Sequence, residues 1–332
     1  MKKWRLCAQR SLRMGTLMMA AALAFTGTAF AMPTGGTLVQ GNVTIDRGTL
    51  AAPTSGATIR TTENSVIDWT DFDLVAAEEL HFDTTGGALV AHVPASKVAM
   101  LRGKISQTGS HPLTIIGDGG LSIEAARIDG TNVELAATKM VMQDSSLVAD
   151  RVQIRVGEMA DTAEDIEVTR GAPFYLSNSI IRAKDFRSMS GAVYLLNDCE
   201  VNADTIDLSI GESIRISRGA DGKELHEEIA VTRDNTLSLW ESAVNGGDIS
   251  FRTGNVGIWQ DSVLKAAGKM TPIVESSNEG NQKYSLKRVD GSAPRLLCGY
   301  DSTVWQKSGE VGVEGFEEAI SLKRPPAIPA MK

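Results

Sequence analysis

A chain of 332 residues with 41 Asp and Glu against 33 Lys and Arg, net charge −8, lacks the basic excess that a nucleic-acid partner demands. Aromatic side chains at 5% and 32 glycines argue against a thick globular core and for frequent tight turns. Residues 1–31 read as a secretory signal peptide. Lys2, Lys3, Arg5, Arg10 and Arg13 form a basic front, Leu17 to Phe25 carries no charge, and Ala29-Phe30-Ala31 is a small-x-small cleavage site. No later stretch approaches the roughly 18 apolar residues of a spanning helix, so no transmembrane segment is expected after cleavage. Losing five cations and no acid leaves the exported chain more acidic still.

From residue 32 onward, short apolar runs such as VTI, LTII, YLLN and LSL alternate with Gly, Asn, Asp and Ser, the pattern of β-strands and turns. Several windows align with one another. GAPFYLSNSIIRAKDF from Gly171 matches GAVYLLNDCEVNADTI from Gly191, about 20 residues later. LSLWESAVNGGDI from Leu237 matches GIWQDSVLKAAG from Gly257 at a similar offset, and QDSSLVA from Gln143 shares the same core. That core is an acid or Asn, then Ser or Cys, then x-apolar-x-small. Its Ser/Cys position is Ser145, Ser179, Cys199, Ser242 and Ser262, and its small position is Ala149, Ala183, Ala203, Gly246 and Ala266.

A period of about 20 residues made of strands and turns predicts an all-β fold, a right-handed parallel β-helix. No coil of such a fold buries its inner face alone, so stacking supplies the core. Acidic stretches near 157–167 and 219–228 break the period and are expected as inserted loops. Residues 141–320 are read as continuing coils, and 321–332 as a Pro-rich tail. Cys199 and Cys298 fall several coils apart. A disulfide needs Cα atoms within about 7 Å, so both are expected as free thiols.

The beginning of the exported part carries a resemblance. MPTGGTLVQGNVTI (32–45) is followed by SGATIRTTENSVIDWTDFDLVAAEELHF (55–82), with Pro33, Gly35, Gly36, Gly41, Ile67, Trp69, Phe72 and Phe82 at the telling positions. Residues 32–140 thereby resemble the amino-terminal secretion domain of two-partner-secretion exoproteins, the filamentous-haemagglutinin-like family. Gly117-Asp118-Gly119-Gly120 stands where that family has Asn-Pro-Asn-Gly. The resemblance implies a capped β-helix, an outer-membrane transporter barrel as partner, and release to the medium or cell surface of a Gram-negative bacterium, with a periplasmic location as the alternative. Read from the residues alone, Ile67, Trp69 and Phe72 suit a cap over the open end of the core.

Asp144-Ser145 and Asp261-Ser262 invite a nucleophilic reading, but neither has a neighbouring His or a G-x-S-x-G elbow, and the repeat accounts for both. The four histidines show no i,i+2 or i,i+4 pairing, so no metal is expected, and no motif calls for a cofactor. The expected function is non-enzymatic and adhesin-like: binding a host or bacterial surface, a glycan or a matrix. The alternative is a polysaccharide lyase or hydrolase using acids such as Asp198, Glu200, Asp204 and Asp207 on an outer sheet face.

Overall fold

The computed structural model describes residues 32–321 except for short segments at 95–96, 162–164, 170–173, 193, 219–224, 274–276, 280–281, 293–294, 299–302 and 307–317. The expected signal peptide at 1–31 lies outside the described residues, as does the expected tail at 321–332 apart from Ser321, which ends the strand Glu318–Ser321. Among the described residues the fold is all-β, with no helix and mostly parallel pairing. Two long sheets dominate, one of 16 strands and one of nine; a six-stranded sheet and a two-stranded ribbon complete the set.

One unit recurs along the chain. Strand Met140–Gln143 leads through Asp144-Ser145 into the long strand Ser146–Val156. The same order returns as Phe174–Ser177 and Ile180–Ser190, as Tyr194–Asn197 and Glu200–Ile210, and as Thr236–Trp240 and Ala243–Arg252. Each strand pairs in parallel with its counterpart in the next unit: Met142 faces Leu176, which faces Leu196, then Leu239, then Ile258. Leu147 likewise faces Ile181, Val201, Val244 and Leu264 in turn. These rows are fully buried and form one continuous core.

The small position of the repeat marks a bend inside the long strand. Pairing is continuous up to Ala183–Ala203, skips one residue, and resumes at Asp185–Thr205. Inward parity changes there: Ile181 is buried before the bend, and Phe186 and Ser188 after it. The bend crowds the inside of the corner. A Cβ on Gly246 would lie 2.5 Å from the Ile249 side chain. At Gly246 even an alanine would have to displace that side chain, and the other members of the column, Ala149, Ala183, Ala203 and Ala266, carry no more than a Cβ.

The two insertions, expected as loops, carry strands instead. Glu158–Asp161 and Asp165–Thr169 form one antiparallel pair, and Ser213–Arg218 and Leu225–Val231 form another. With Ser277–Glu279 and Gln282–Arg288 they make the six-stranded sheet. The physical reason is a two-residue alternation among the charges: Val168, Ile214, Ile216, Ile229 and Val231 form a small core of their own, closed by Met189 from the long sheet and by Leu286.

At the amino-terminal end the pairing changes sense. Thr37–Gln40 runs antiparallel to Ser65–Asp68, and Val43–Ile45 antiparallel to Ala57–Thr61. Ile67, Trp69, Phe72 and Phe82 are buried there with Met32, and the Trp69 and Phe72 rings meet edge to face at 5.4 Å. Pro33 is buried beside them, and Gly35 faces Thr70. Gly36 is required by space, because a Cβ would lie 2.7 Å from the Trp69 ring. Gly41 is required by its backbone, at φ +84°.

Candidate binding surfaces

The five residues of the Ser/Cys column are all buried, between 0% and 5% exposed, and stand on adjacent units. Each is preceded by a residue with positive φ: Asp144, Asn178, Asp198, Glu241 and Asp261. That left-handed residue turns the chain between the two long sheets, and its own N–H reaches a carbonyl of the following unit, as in Asp198 N–H to Trp240 O at 3.0 Å. The Ser or Cys then points inward. Its hydroxyl donates to the carbonyl two residues back, as from Ser145 to Gln143 at 2.6 Å, Ser179 to Ser177 at 2.7 Å and Ser242 to Trp240 at 2.7 Å. The same oxygen accepts an N–H from the preceding unit: Ala126 to Ser145, Ser145 to Ser179, Cys199 to Ser242 and Ser242 to Ser262, at 3.0–3.2 Å.

These hydroxyls are therefore engaged with main chain and not with a base. Burial pushes the Cys199 thiol up from its ordinary pKa, against main-chain hydrogen bonds at Ser179 and Asn197 that pull the other way, so it is an unreactive member of the column. Cys199 carries no disulfide. The backbone of Cys298 pairs with Ile258, further along the nine-stranded sheet.

Sequence reasoning missed a buried ion cluster where the six-stranded sheet meets the long one. Arg252 is fully buried and Glu227 is 3% exposed. Glu227 accepts from Arg187 at 2.8 Å, from Ser209 Oγ at 2.5 Å and from Arg252 at 3.3 Å. Asp207 accepts from Arg252 and, at 2.9 Å, from Ser250 Oγ, and lies 3.6 Å from Arg187. The Tyr284 ring covers the Arg252 guanidinium at 4.3 Å. Burial works against the charge of Arg252, but Asp207 and Glu227 outweigh it and hold its pKa above the ordinary value. Two cations and two anions neutralise one another, so the cluster joins two sheets. The signal in the sequence was an Arg in register with Ser209 of the preceding unit.

The remaining acids named for an enzymatic alternative are dispersed. Asp198 and Asp204 are exposed at the turn and at the bend, while Glu200 is held by Asn202 at 2.7 Å and Arg182 at 3.7 Å. His92 sits between Asp68 and Asp118, at 3.0 and 3.2 Å. His81 bonds Ser106 and Thr108. Among the described residues no group of three His, Cys, Asp or Glu converges as a metal site.

At the amino-terminal end, Asp71 and Asp73 flank buried Phe72, each 7% exposed. Lys97 reaches Asp71 at 3.0 Å, and the Met100 N–H reaches Asp73 at 2.7 Å. Burial raises the Asp73 carboxyl to about 6; the Met100 N–H opposes this and the neighbouring Asp71 adds to it. Gly119 and Gly120 lie in the turn between Leu113–Gly117 and Leu121–Glu124, where the Gly120 N–H bonds Gly117 O at 3.0 Å.

The outer face of the nine-stranded sheet differs from the rest of the surface. Five consecutive strands, MVMQ, FYLS, YLLN, TLSLW and NVGIW, contain no charged residue. One outward row runs Gln143, Ser177, Asn197, Trp240, Trp259; the next runs Val141, Tyr175, Leu195, Ser238, Gly257. Trp240 is 38% exposed. The Trp259 indole leans over Gly257, where a Cβ would lie 2.7 Å from its ring nitrogen. By contrast, the outer face of the 16-stranded sheet is laced with ion pairs such as Arg60–Asp83, Arg127–Asp129 and Lys184–Asp150.

No protein-family model and no curated protein matches this chain.

Proposed function

We propose that the chain is a right-handed parallel β-helix exported across the inner membrane, related to two-partner-secretion exoproteins, and that it acts as a non-enzymatic, adhesin-like binder of a cell surface, glycan or matrix. The observation that carries the binding role is the run of five uncharged parallel strands in the nine-stranded sheet, whose outward rows include Tyr175, Trp240 and Trp259. Uncharged and aromatic side chains repeated from strand to strand offer many similar contacts in a row, which suits recognition of an extended surface. The resemblance of residues 32–140 to a secretion domain supports the export route, with a transporter barrel as partner. Two measurements test the reading. Purified protein is expected to be retained on host epithelial cells, extracellular matrix or bacterial cells; loss to the wash on all three ends the adhesin reading. Co-expression with a transporter barrel encoded beside it is expected to move the protein to the medium, and unchanged periplasmic retention removes that partner.

A further inference from the structure

The surface chemistry points to a narrower ligand for the proposed binding role: we propose that Trp240 and Trp259, with Asn197, Ser177 and Gln143 beside them, form a platform for an uncharged oligosaccharide. This rests on the reading of the chain as a surface-binding protein. Trp240 and Trp259 are in register on adjacent strands, whose backbones lie ~4.8 Å apart. Two indoles at that spacing present more aromatic face than a single sugar ring covers, which favours a chain of sugars. Gly257 matters because it leaves the room over which the Trp259 indole lies.

The rest of the row supplies what a sugar needs besides an apolar face. Asn197 and Gln143 carry amides with both donors and acceptors, and Ser177 carries a hydroxyl. Binding sites of this type combine aromatic walls with a few polar groups that fix orientation. One residue further along each strand lies a carboxylate or amide: Asp144, Asn178, Asp198, Glu241 and Gln260, with Asp261 next. Asp144, Asn178, Asp198 and Glu200 line an open groove at this corner.

Charge selects among occupants. A polyanionic glycan or an anionic membrane would meet the row of Asp144, Asp198, Glu241 and Asp261 with like charge. A second copy of the chain would bring the same acidic row against this one. Hydroxyls of an uncharged sugar instead donate to those carboxylates, replacing the water they displace and adding no like charge.

The test uses the exported chain with hexasaccharides of β-1,4-glucan, β-1,3-glucan, α-1,4-glucan and β-1,4-linked N-acetylglucosamine, and with polygalacturonate and heparin as polyanions. Titration is followed by tryptophan fluorescence and calorimetry. At least one neutral hexasaccharide is expected to bind, and W240A and W259A to weaken it roughly tenfold to a hundredfold with circular dichroism unchanged. Binding that survives both substitutions, binding by the polyanions alone, or binding by none of the panel overturns the platform. So does a concentration-dependent dimer that disappears in W240A, which would make the face a self-interface. Retention on cells, measured alongside, separates the two readings: retention without saccharide binding overturns the platform alone, and saccharide binding without retention overturns the adhesin role alone.

Discussion

The Ser/Cys column is buried, neutral and repeated, and its hydrogen bonds go to main chain. The Arg252 cluster is buried, charged and assembled from five strands, three of the long sheet and two of the inserted one. The difference is instructive. A hydroxyl whose partners are backbone groups can be copied from unit to unit, because every unit brings the same backbone. A buried charge must find its counter-charge locally, so it appears where an insertion brings a foreign strand against the ladder. The column continues the stack; the cluster fastens something to its side.

The largest effect expected from this contrast follows removal of Glu227. Glu227→Ala leaves Arg187 and Arg252 sharing Asp207, with Ser209 Oγ losing its acceptor. The cost is about 3–5 kcal/mol, the usual result of leaving buried charge uncompensated. Hydrogen exchange should show amides of 213–218 and 225–231 opening first while Ser179 and Ser242 stay protected. Simultaneous opening of both regions would mean that the inserted sheet is part of the stack's own cooperativity, and the contrast would fail. Replacing charge by apolar surface, as in Arg252→Met with Glu227→Leu, leaves Arg187 to Asp207 and is expected within about 1–2 kcal/mol of the natural protein.

The column should respond to a smaller change of a different kind. Ser242→Ala strips the acceptor from the Cys199 N–H and the donor from the Trp240 carbonyl, costing about 1–3 kcal/mol in urea unfolding. Cys199→Ser restores the commoner member of the column and is expected to change stability by less than about 1 kcal/mol. If Ser242→Ala proves neutral, the column is only a packing row.

These two systems also mark what the sequence could reveal. Alignment of QDSSLVA, LSNSIIRA, LNDCEVNA, WESAVNG and QDSVLKA places Ser145, Ser179, Cys199, Ser242 and Ser262 at one repeat position, because reiterated backbone demands reiterated side chains. The meaning of the small position was hidden, since nothing in Ala183 or Gly246 announces a change of inward parity. The inserted strands resemble loops in the sequence because Ile166, Val168, Ile214 and Ile216 alternate with polar or charged residues in short runs that the main period does not include. Arg252 looked like any strand arginine; its partners lie 25 residues away at Glu227 and 45 at Asp207, on different strands. Trp240 and Trp259 stood in the aligned windows, but their shared outward face needs the register of two parallel strands to become visible.

The amino-terminal end offers a third kind of buried polarity, a carboxyl held partly protonated. The Asp73 pKa is raised to about 6 in the folded chain and returns to about 3.9 on unfolding. Its stabilising contribution is therefore fully present below about pH 4 and is lost as pH rises through about 6. Between pH 5 and pH 7 the end around Thr34 and Asp71 should lose roughly 1 kcal/mol, read as faster amide exchange after correction for intrinsic rates. Asp73→Asn should flatten that dependence. A slope that persists in the variant assigns the effect to another group and leaves the end as neutral in character as the Ser/Cys column.

The smallest expected effect bears most directly on the column's neutrality. The residue before each column member must adopt positive φ, and Asp144, Asn178 and Asp198 are side chains that tolerate it. Glu241, at φ +48°, is not such a side chain; it is also exposed and contacted by the Gln260 amide. If backbone geometry governs this corner, Glu241→Asn should raise stability by about 0.5–1 kcal/mol even though it removes a charged contact, because an exposed contact of that kind contributes little. If charge governs it, as at Arg252, the same substitution should destabilise. Thermal unfolding of the two proteins side by side decides the sign, and the sign says whether the corner belongs with the column or with the cluster.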